Sequence, residues 1–582
     1  MLDTIDTLRA VWPMLSRAVL RGQLFSPQCT LVDPDPDIRC DYDVAVPIGD
    51  DVVLTANVFR SHKRSEAGEI DPVVMCAHPY DNHLSPALGK TPFGGPPHQY
   101  RVVPQAGGRP EFSTLTSWEA PDPNFWVPAG YTLVNLNLAG FANSGGTATL
   151  LSRQQGEEFY AAIKWIAEQS WCDGNIGLTG VSYLAISQYF AAMAAEPDGE
   201  NSPLKCISPW EGISDIYRDI ACRGGVADGG FFDGWWNTEI KTTLNNPRHE
   251  FIAREGALPK DLVSVHPLYD DYWAGKTADF SKVRTPMLVC ASFSDHELHT
   301  PGSCRAYQEA ASPRKWIYTH REGKWVSYYS DEVKALLLDF MDHHLKGKSN
   351  RFDDLKPLRL EVRSDRETIK DVRWESEWPL PHTEYRPLFL TKKRLASEPQ
   401  KKTGELSYHA DGGSASFDMT FDQNTELSGF MKLRLWVEVR PEKQGGICPD
   451  DIILCVYVDK RDRNGRAVRF NGSVGITNDT VTRGIIRASR RELDAEKSTE
   501  WLPVFKGDSV QKLAQGDIVP VEIPLCASST FFAAGEGLRL IVSSKEEVVS
   551  PVFHKVINDN VGRHVVHIGG DYDSHLLVPV IS

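Results

Sequence analysis

Hydrophobic and polar positions follow two different rhythms along this chain. From about residue 40 to residue 350, short apolar runs alternate with segments of helical period, the mark of an α/β layered fold. After about residue 356 the helical period disappears. LRLEVR from Leu358, MKLRLWVEV from Met431, IILCVYVD from Ile452 and LRLIVSS from Leu538 then alternate apolar with polar positions between turn-rich stretches. Period two of this kind predicts half-buried antiparallel strands, most simply a β-sandwich or jelly roll. Glu332 to Leu345, stopped by Gly347, predicts a helix at the boundary. At the N-terminus, Ile5, Leu8, Trp12, Leu15 and Val19 fall on one helical face interrupted by Pro13. They predict a docking helix within an extension over residues 1–35.

The 582 residues, at ~150 per domain, set an expectation of two to four domains. Lys and Arg number 63 against 78 Asp and Glu, a net charge of −15, which repels phosphate backbones and anionic membranes, so nucleic acid is not an expected partner. No apolar run approaches the ~20 residues of a membrane span, and Asp3 and Asp6 stand where a signal peptide carries cations. The eleven cysteines form no CxxC pair and no Cys/His cluster at zinc spacing. They read as buried thiols of a reducing, cytoplasmic compartment. No GxGxxG opens a helix, so neither metal nor organic cofactor is expected. Asp450, Asp451 and Asp459 are the residues that leave calcium open.

Five buried runs in the α/β region end in polar or turn residues: VVMCAHPYD near Tyr80, TLVNLNLAG near Asn137, IGLTGVS at Ser182, MLVCASFSD at Asp295 and KWIYTH at His320. Ligands of open α/β sheets sit beyond the carboxyl ends of the strands, where these residues would converge. Ser182 lies between a strand-like run and a plausible helix from Tyr183 to Met193, with Gly180 two positions earlier. A nucleophile on so sharp a turn needs that small residue and gains an oxyanion donor in the next amide, that of Tyr183. The usual second glycine is Leu184, and read alone the serine serves equally as a helix N-cap. Serine needs a base and the base an orienting carboxylate. Asp295 and His320 supply them at strand ends in the order Ser, Asp, His, that of α/β-hydrolases. His296 and His299 lie nearer Asp295 in sequence, and His343 and His344 fall on the boundary helix; the strand-end position favours His320. No HGGG-type loop is present, and Tyr80, following Pro79, is the candidate oxyanion donor.

These residues, with HPYDN at 78–82, WCDGNIGLTGVSYLA at 171–185, SDIYRD at 214–219, SFSDHELHTPG at 292–302, YTHREGKW at 318–325, and IIRASRREL and DIVPVEIPL in the later region, resemble the cocaine esterase-like family of serine hydrolases, related to X-Pro dipeptidyl-peptidases. The resemblance spans roughly residues 40–580. It implies Ser182 as nucleophile, Asp295 and His320 as its triad partners, and Tyr80 with the Tyr183 amide as oxyanion hole. It also implies an α/β-hydrolase domain over residues 36–206 and 280–350, a helical cap over 207–279, and a jelly roll over 356–582. Three departures stand out. Asn137-Leu138-Ala139-Gly140 replaces an Asp-x-Arg-Gly loop, Ala185 replaces a common glycine, and His320 sits in THREGKW instead of a Gly-Pro-Trp-x-His setting.

The stretch from about 84 to 128, rich in Gly and Pro, carries Phe93, Tyr100, Trp118, Phe125 and Trp126, which suits a loop over the site. Together with Phe231, Phe232, Trp235 and Trp236 these aromatics predict an apolar pocket for a bulky, partly aromatic ester; the competing reading makes them core. Asp215, Asp219, Asp228 and Asp233 are candidates for binding a substrate ammonium, as a peptidase requires, against pairing with Arg218 and Arg223. The leading expectation is hydrolysis of a small carboxylic ester, less readily an amide, through an acyl-serine. Acyl transfer to an alcohol or amine, X-Pro-type peptidase activity and a binding protein without catalysis are the alternatives. The expected partner is that small ester or amide, with no nucleic acid, no membrane, and a homodimer as an open assembly state.

Overall fold

The computed structural model describes residues 28–49, 51–88, 107–472, 478–547 and 558–582, together with Ser16, Val19, Leu20, Tyr100 and Val556. The expected N-terminal docking helix therefore lies outside the described residues but for Ser16, Val19 and Leu20. Phe93 also lies outside them.

The α/β part is built on one sheet. Its strands are β1 (Ile38–Pro47), β2 (Val53–Ser61), β3 (Asp71–His78), β4 (Thr132–Asn137), β5 (Cys172–Val181), β6 (Leu204–Trp210), β7 (Met287–Ser292), β8 (Lys315–His320), β9 (Leu358–Arg363) and β10 (Ile369–Glu375). They lie side by side in the order β1-β2-β4-β3-β5-β6-β7-β8-β9-β10, parallel from β4 to β9 and antiparallel at both edges. Every residue of β3, β4 and β7 is buried, as expected of a parallel sheet covered on both faces.

The crossover helices are α1 (Arg153–Ala167), α2 (Tyr183–Ala195), α3 (Thr300–Glu309) and α4 (Asp331–Leu345). Ser152 caps α1 by accepting from the Gln155 amide, and Ser330 caps α4 by accepting from that of Val333. Gly156 lets α1 close on α2; a Cβ there would stand 2.5 Å from the Phe190 carbonyl oxygen. Helix α4 covers the sheet near Gly177 and Cys206 through Met341. Between β6 and β7 the chain leaves the sheet for a helical insertion, with helices at Phe231–Trp235, Arg248–Glu255 and Asp271–Ala274 and a hairpin pairing Cys222–Arg223 with Val226–Ala227.

Beyond β10 the structure is almost entirely β. One sheet contains Thr383–Leu390, Gly404–His409, Thr425–Arg440, Val519–Phe532, Arg563–Ile568 and His575–Ile581. The other contains Ser414–Thr420, Ile453–Arg461, Thr482–Arg487 and Gly537–Ser543. Leu433, Val437 and Ile523 from the first meet Leu454, Val456 and Leu540 from the second in one core. The molecule is thus an α/β-hydrolase domain with an inserted helical cap, followed by an all-β jelly roll.

The run LRLEVR departs from its expected place. It forms β9, which extends the hydrolase sheet beside β8 and touches the sandwich where Arg363 pairs with Thr530. Arg363 is 1% exposed and spans the junction. Its guanidinium donates to the carbonyls of Phe293 (2.7 Å) and Val481 (2.9 Å) and to the Ser528 hydroxyl (2.9 Å). Burial lowers its pKa to about 10.

No disulfide joins any of the eleven cysteines. Of the three aspartates that sequence left open for calcium, Asp450 pairs with Lys512 at 3.2 Å, Asp451 accepts from Ser489 and pairs with Arg487, and Asp459 pairs with Arg461 at 2.7 Å. No helix among the described residues is long and apolar enough to cross a membrane.

Candidate active site

Ser182 sits between β5 and α2 with φ 61° and ψ −115°, a strained conformation for a residue with a Cβ. The turn works because Gly180 precedes it at φ 147°. A Cβ on Gly180 would lie 2.6 Å from the Leu184 Cβ, so one glycine makes the room that the sequence pattern usually divides between two. Leu184 is accommodated by that gap. The Tyr183 amide heads α2, where first-turn N–H groups have no intrahelical acceptor and the helix dipole adds positive potential.

The Ser182 hydroxyl meets His299 Nε2 at 3.1 Å. His299 Nδ1 donates to Asp295 Oδ2 at 2.5 Å, and both residues are buried. Local backbone explains the second contact. The amides of Leu298, His299 and Thr300 all turn back onto the Asp295 carbonyl, so this short helical turn stacks side chains four apart on one face.

His320, expected as the base, is elsewhere. Its Nε2 donates to Glu211 Oε1 at 2.9 Å, and its ring stacks on Trp210 with 6.0 Å between centroids. The reason is register. His320 lies opposite Ser292 in the β7–β8 ladder, level with the strand ends, and faces Glu211 just beyond β6. The chain after β7 runs three residues further to Asp295 and one helical turn more to His299. Glu211 has φ 54° and also accepts from the Ser292 hydroxyl at 2.8 Å. Ligand atoms of Glu211, Asp295 and His299 fall within 4.8 Å of one another, so a second acid–imidazole pair backs the first.

A cavity of about 60 Å³ lies over Ser182. Tyr80, Trp118, Phe231, Phe232 and Trp235 line it, with Ile186, Ile213, Ile216 and Leu298 among the other residues of its apolar wall. The Tyr80 hydroxyl accepts from Trp235 Nε1 at 3.3 Å, which leaves its own O–H to donate, and burial raises its pKa far above the ordinary phenol value. Phe125 and Trp126 are not part of this wall. Asp122 caps their short turn, Trp126 packs edge-on to Tyr131 at 5.4 Å, and both line a crevice against Lys334 and Leu337 of α4.

Three polar residues that sequence reasoning missed also line the cavity: Glu119, Glu239 and Lys324. Glu119 has φ 61°, its carboxylate accepts from Trp325 Nε1 at 2.8 Å, and Lys324 stands 3.6 Å away. Burial raises the Glu119 pKa. The Lys324 pKa is also raised: burial, its largest influence, pulls it down but is outweighed by surrounding carboxylates, Glu119 first. The acids proposed for an ammonium are engaged away from Ser182. Asp215 binds Arg218 at 2.6 Å, Asp219 binds Arg305 at 2.9 Å, and Asp228 accepts from the amides of Phe231 and Phe232. Asp233 accepts from Asn237 at 3.0 Å. None of the four lines the cavity.

Comparison with known proteins agrees with this architecture. Residues 50–323 match the family model for X-Pro dipeptidyl-peptidase (S15 family), and residues 350–577 match that for the X-Pro dipeptidyl-peptidase C-terminal non-catalytic domain. The cocaine esterase of Rhodococcus sp. (strain MB1 Bresler) is 23% identical over 93% of this chain and 98% of its own length. The crystal structure of a CocE/NonD family hydrolase from Staphylococcus aureus is 34% identical, with a TM-score of 0.79 over 94% of each chain. An aminopeptidase from a marine sediment Thaumarchaeota archaeon shares the fold at 15% identity, with a TM-score of 0.67 over 94% of this chain and 97% of its own.

Proposed function

Because the chain belongs to the CocE/NonD family of serine hydrolases, we propose that it is an esterase that cleaves small carboxylic esters through an acyl-serine on Ser182. The observation that carries this reading is the hydrogen-bonded series Ser182, His299, Asp295 at the head of an apolar cavity. His299 Nε2 takes the Ser182 proton as Oγ attacks the ester carbonyl, and Asp295 holds the ring in the tautomer that leaves Nε2 free to accept. The Tyr80 hydroxyl and the Tyr183 amide donate to the oxygen as it becomes anionic. Collapse of the tetrahedral intermediate expels the alcohol, protonated by His299. The same ring then deprotonates water, which attacks the acyl-enzyme and releases acid and free serine.

A cavity of about 60 Å³ walled by Phe231, Phe232 and Trp235 suits a compact apolar acyl group better than a long chain. An ester is favoured over an X-Pro peptide. An amine-binding site needs unopposed carboxylate at the cavity; Lys324 stands 3.6 Å from Glu119 there and also lies in the field of Glu239, the second cavity carboxylate. In hydrolysis of p-nitrophenyl esters of graded acyl length, kcat/KM is expected to peak at two to four acyl carbons, on the order of one compact side chain, and to fall with longer chains. Absence of turnover on every ester, with cleavage of an X-Pro anilide instead, overturns the reading.

Tyr80→Phe is expected to lower kcat by about 10²–10³-fold, the effect of losing one oxyanion donor, with KM changed little. A rate within about threefold of the unsubstituted protein removes Tyr80 from that role.

A further inference from the structure

Between the cap, α3 and the jelly roll lies a second cavity of about 350 Å³, within the range of about 300–1,000 Å³ typical of small-molecule sites. The segment after β7 divides it from the catalytic cavity: His296 and Pro301 face the larger space, whereas Leu298 and His299 face Ser182. Its apolar wall includes Phe430, Tyr457, Trp501, Leu502 and Leu525. Trp501 is held there by stacking on Phe430 at 5.2 Å and on Tyr385 at 6.0 Å. The wall segment that carries Trp501 belongs to residues 491–518, which run without helix or strand apart from a single bridge between Leu493 and Phe505. Ordered segments of that length without regular structure are usually functional.

Among the described residues, the five arginines of this cavity fall into two groups, and its one lysine, Lys497, pairs with Asp494 at 3.8 Å. Arg218, Arg305 and Arg483 are answered by carboxylates, at 2.6 Å by Asp215, 2.9 Å by Asp219 and 2.5 Å by Glu297. Arg490 and Arg223 have no carboxylate at ion-pair distance among the described residues, although Glu546 and Glu297 act on Arg223 from further away. Arg490 donates to the carbonyls of Ser509 and Pro267, both at 3.0 Å. No hydrogen bond or ion pair holds the Arg223 guanidinium among the described residues. Burial raises the pKa of the wall carboxylates Glu309 and Glu546; Glu309 is offset by Arg305 and Lys497, and Glu546 by Arg223 and Arg483. Two half-buried guanidiniums without a carboxylate at ion-pair distance, beside an aromatic wall, leave charged donors for an anionic ligand.

We propose that this cavity is a binding site, separate from Ser182, for a small organic anion with an apolar body: its carboxylate or sulfonate lies against Arg223 and Arg490, and its body lies between Trp501 and Leu525. Guanidinium recognises such oxyanions in a fork geometry, and the indole offers a face for the apolar part.

The test is a fluorescence titration of the full chain with 8-anilinonaphthalene-1-sulfonate, followed by displacement with 4-phenylbutyrate and, separately, 4-phenylbutylamine. One saturable site per chain is expected, displaced by the acid and not by the amine. Arg223→Gln and Arg490→Gln are each expected to weaken it at least about tenfold, the scale of one charged hydrogen bond. Arg223→Lys, which keeps the charge but not the fork, is expected to bind more tightly than Arg223→Gln and less tightly than the unsubstituted protein, which separates loss of charge from damage to the fold. Phe232→Ala, in the catalytic cavity, is expected to leave the affinity within about twofold. Absence of a saturable site, equal displacement by the amine, insensitivity to both arginine variants, or loss in Phe232→Ala overturns the proposal.

Discussion

Replacing His299 by alanine is expected to lower kcat/KM on an activated ester by at least about 10⁴-fold, whereas His320→Gln is expected to stay within about tenfold. The contrast follows from which nitrogen faces which partner. His299 Nε2 is 3.1 Å from the Ser182 hydroxyl, so its loss leaves the nucleophile without a proton acceptor. His320 Nε2 is committed to Glu211 at 2.9 Å, and a glutamine can still donate to that carboxylate. The Glu211–His320 pair supports the site from behind. Glu211 fastens Ser292 at the end of β7, and the His320 carbonyl accepts from the Phe293 amide at 2.7 Å. A severe loss in His320→Gln with near-normal activity in His299→Ala reverses the assignment.

The second large effect is structural. Arg363→Met is expected to destabilise the protein by about 3–5 kcal/mol, the cost of breaking a buried charged network. Its apparent melting temperature is expected to fall by about 2–4 °C, given ~2.1 cal/mol/K of unfolding entropy per residue over 582 residues. Methionine fills much of the volume but leaves the carbonyls of Phe293 and Val481 without their donor. Because Phe293 lies on the segment leading to Asp295, the damage is expected to reach activity per folded molecule as well. This arginine makes the jelly roll part of the frame that holds the catalytic loop. A melting temperature within about 1 °C of the unsubstituted protein, read by thermal unfolding, sinks that view.

Much of the fold was legible because its determinants are local. Runs buried on both faces betrayed the parallel strands, and the period-two segments betrayed the sandwich. The Gly180-Val181-Ser182 sequence marked the nucleophile turn, whose strain a single glycine makes tolerable. LRLEVR matches a sandwich strand in its alternation. Its place beside β8 depends on a nonlocal pairing that the alternation does not encode.

The site was less legible for a similar reason. Strand-end position pointed to His320, but a side chain's target depends on ladder register and on how far each loop runs beyond its strand. A local signal for His299 was present in the four-residue spacing from Asp295, and it favours the imidazole that the structure sets against Ser182. Phe125 and Trp126 resemble Phe231 and Phe232 in composition, yet Asp122 turns their segment toward α4. Glu119, Glu239 and Lys324 have no shared motif; three distant segments bring them together.

The most direct test of catalysis through Ser182 and His299 is intact-mass spectrometry after treatment with a fluorophosphonate, on the unsubstituted protein, Ser182→Ala, His299→Ala and His320→Gln. One adduct is expected on the unsubstituted protein and on His320→Gln, none on Ser182→Ala, and labelling slowed by at least about 10²-fold on His299→Ala, since a serine without its base is scarcely nucleophilic. An adduct that persists in Ser182→Ala, or labelling of His299→Ala at the unsubstituted rate, contradicts it.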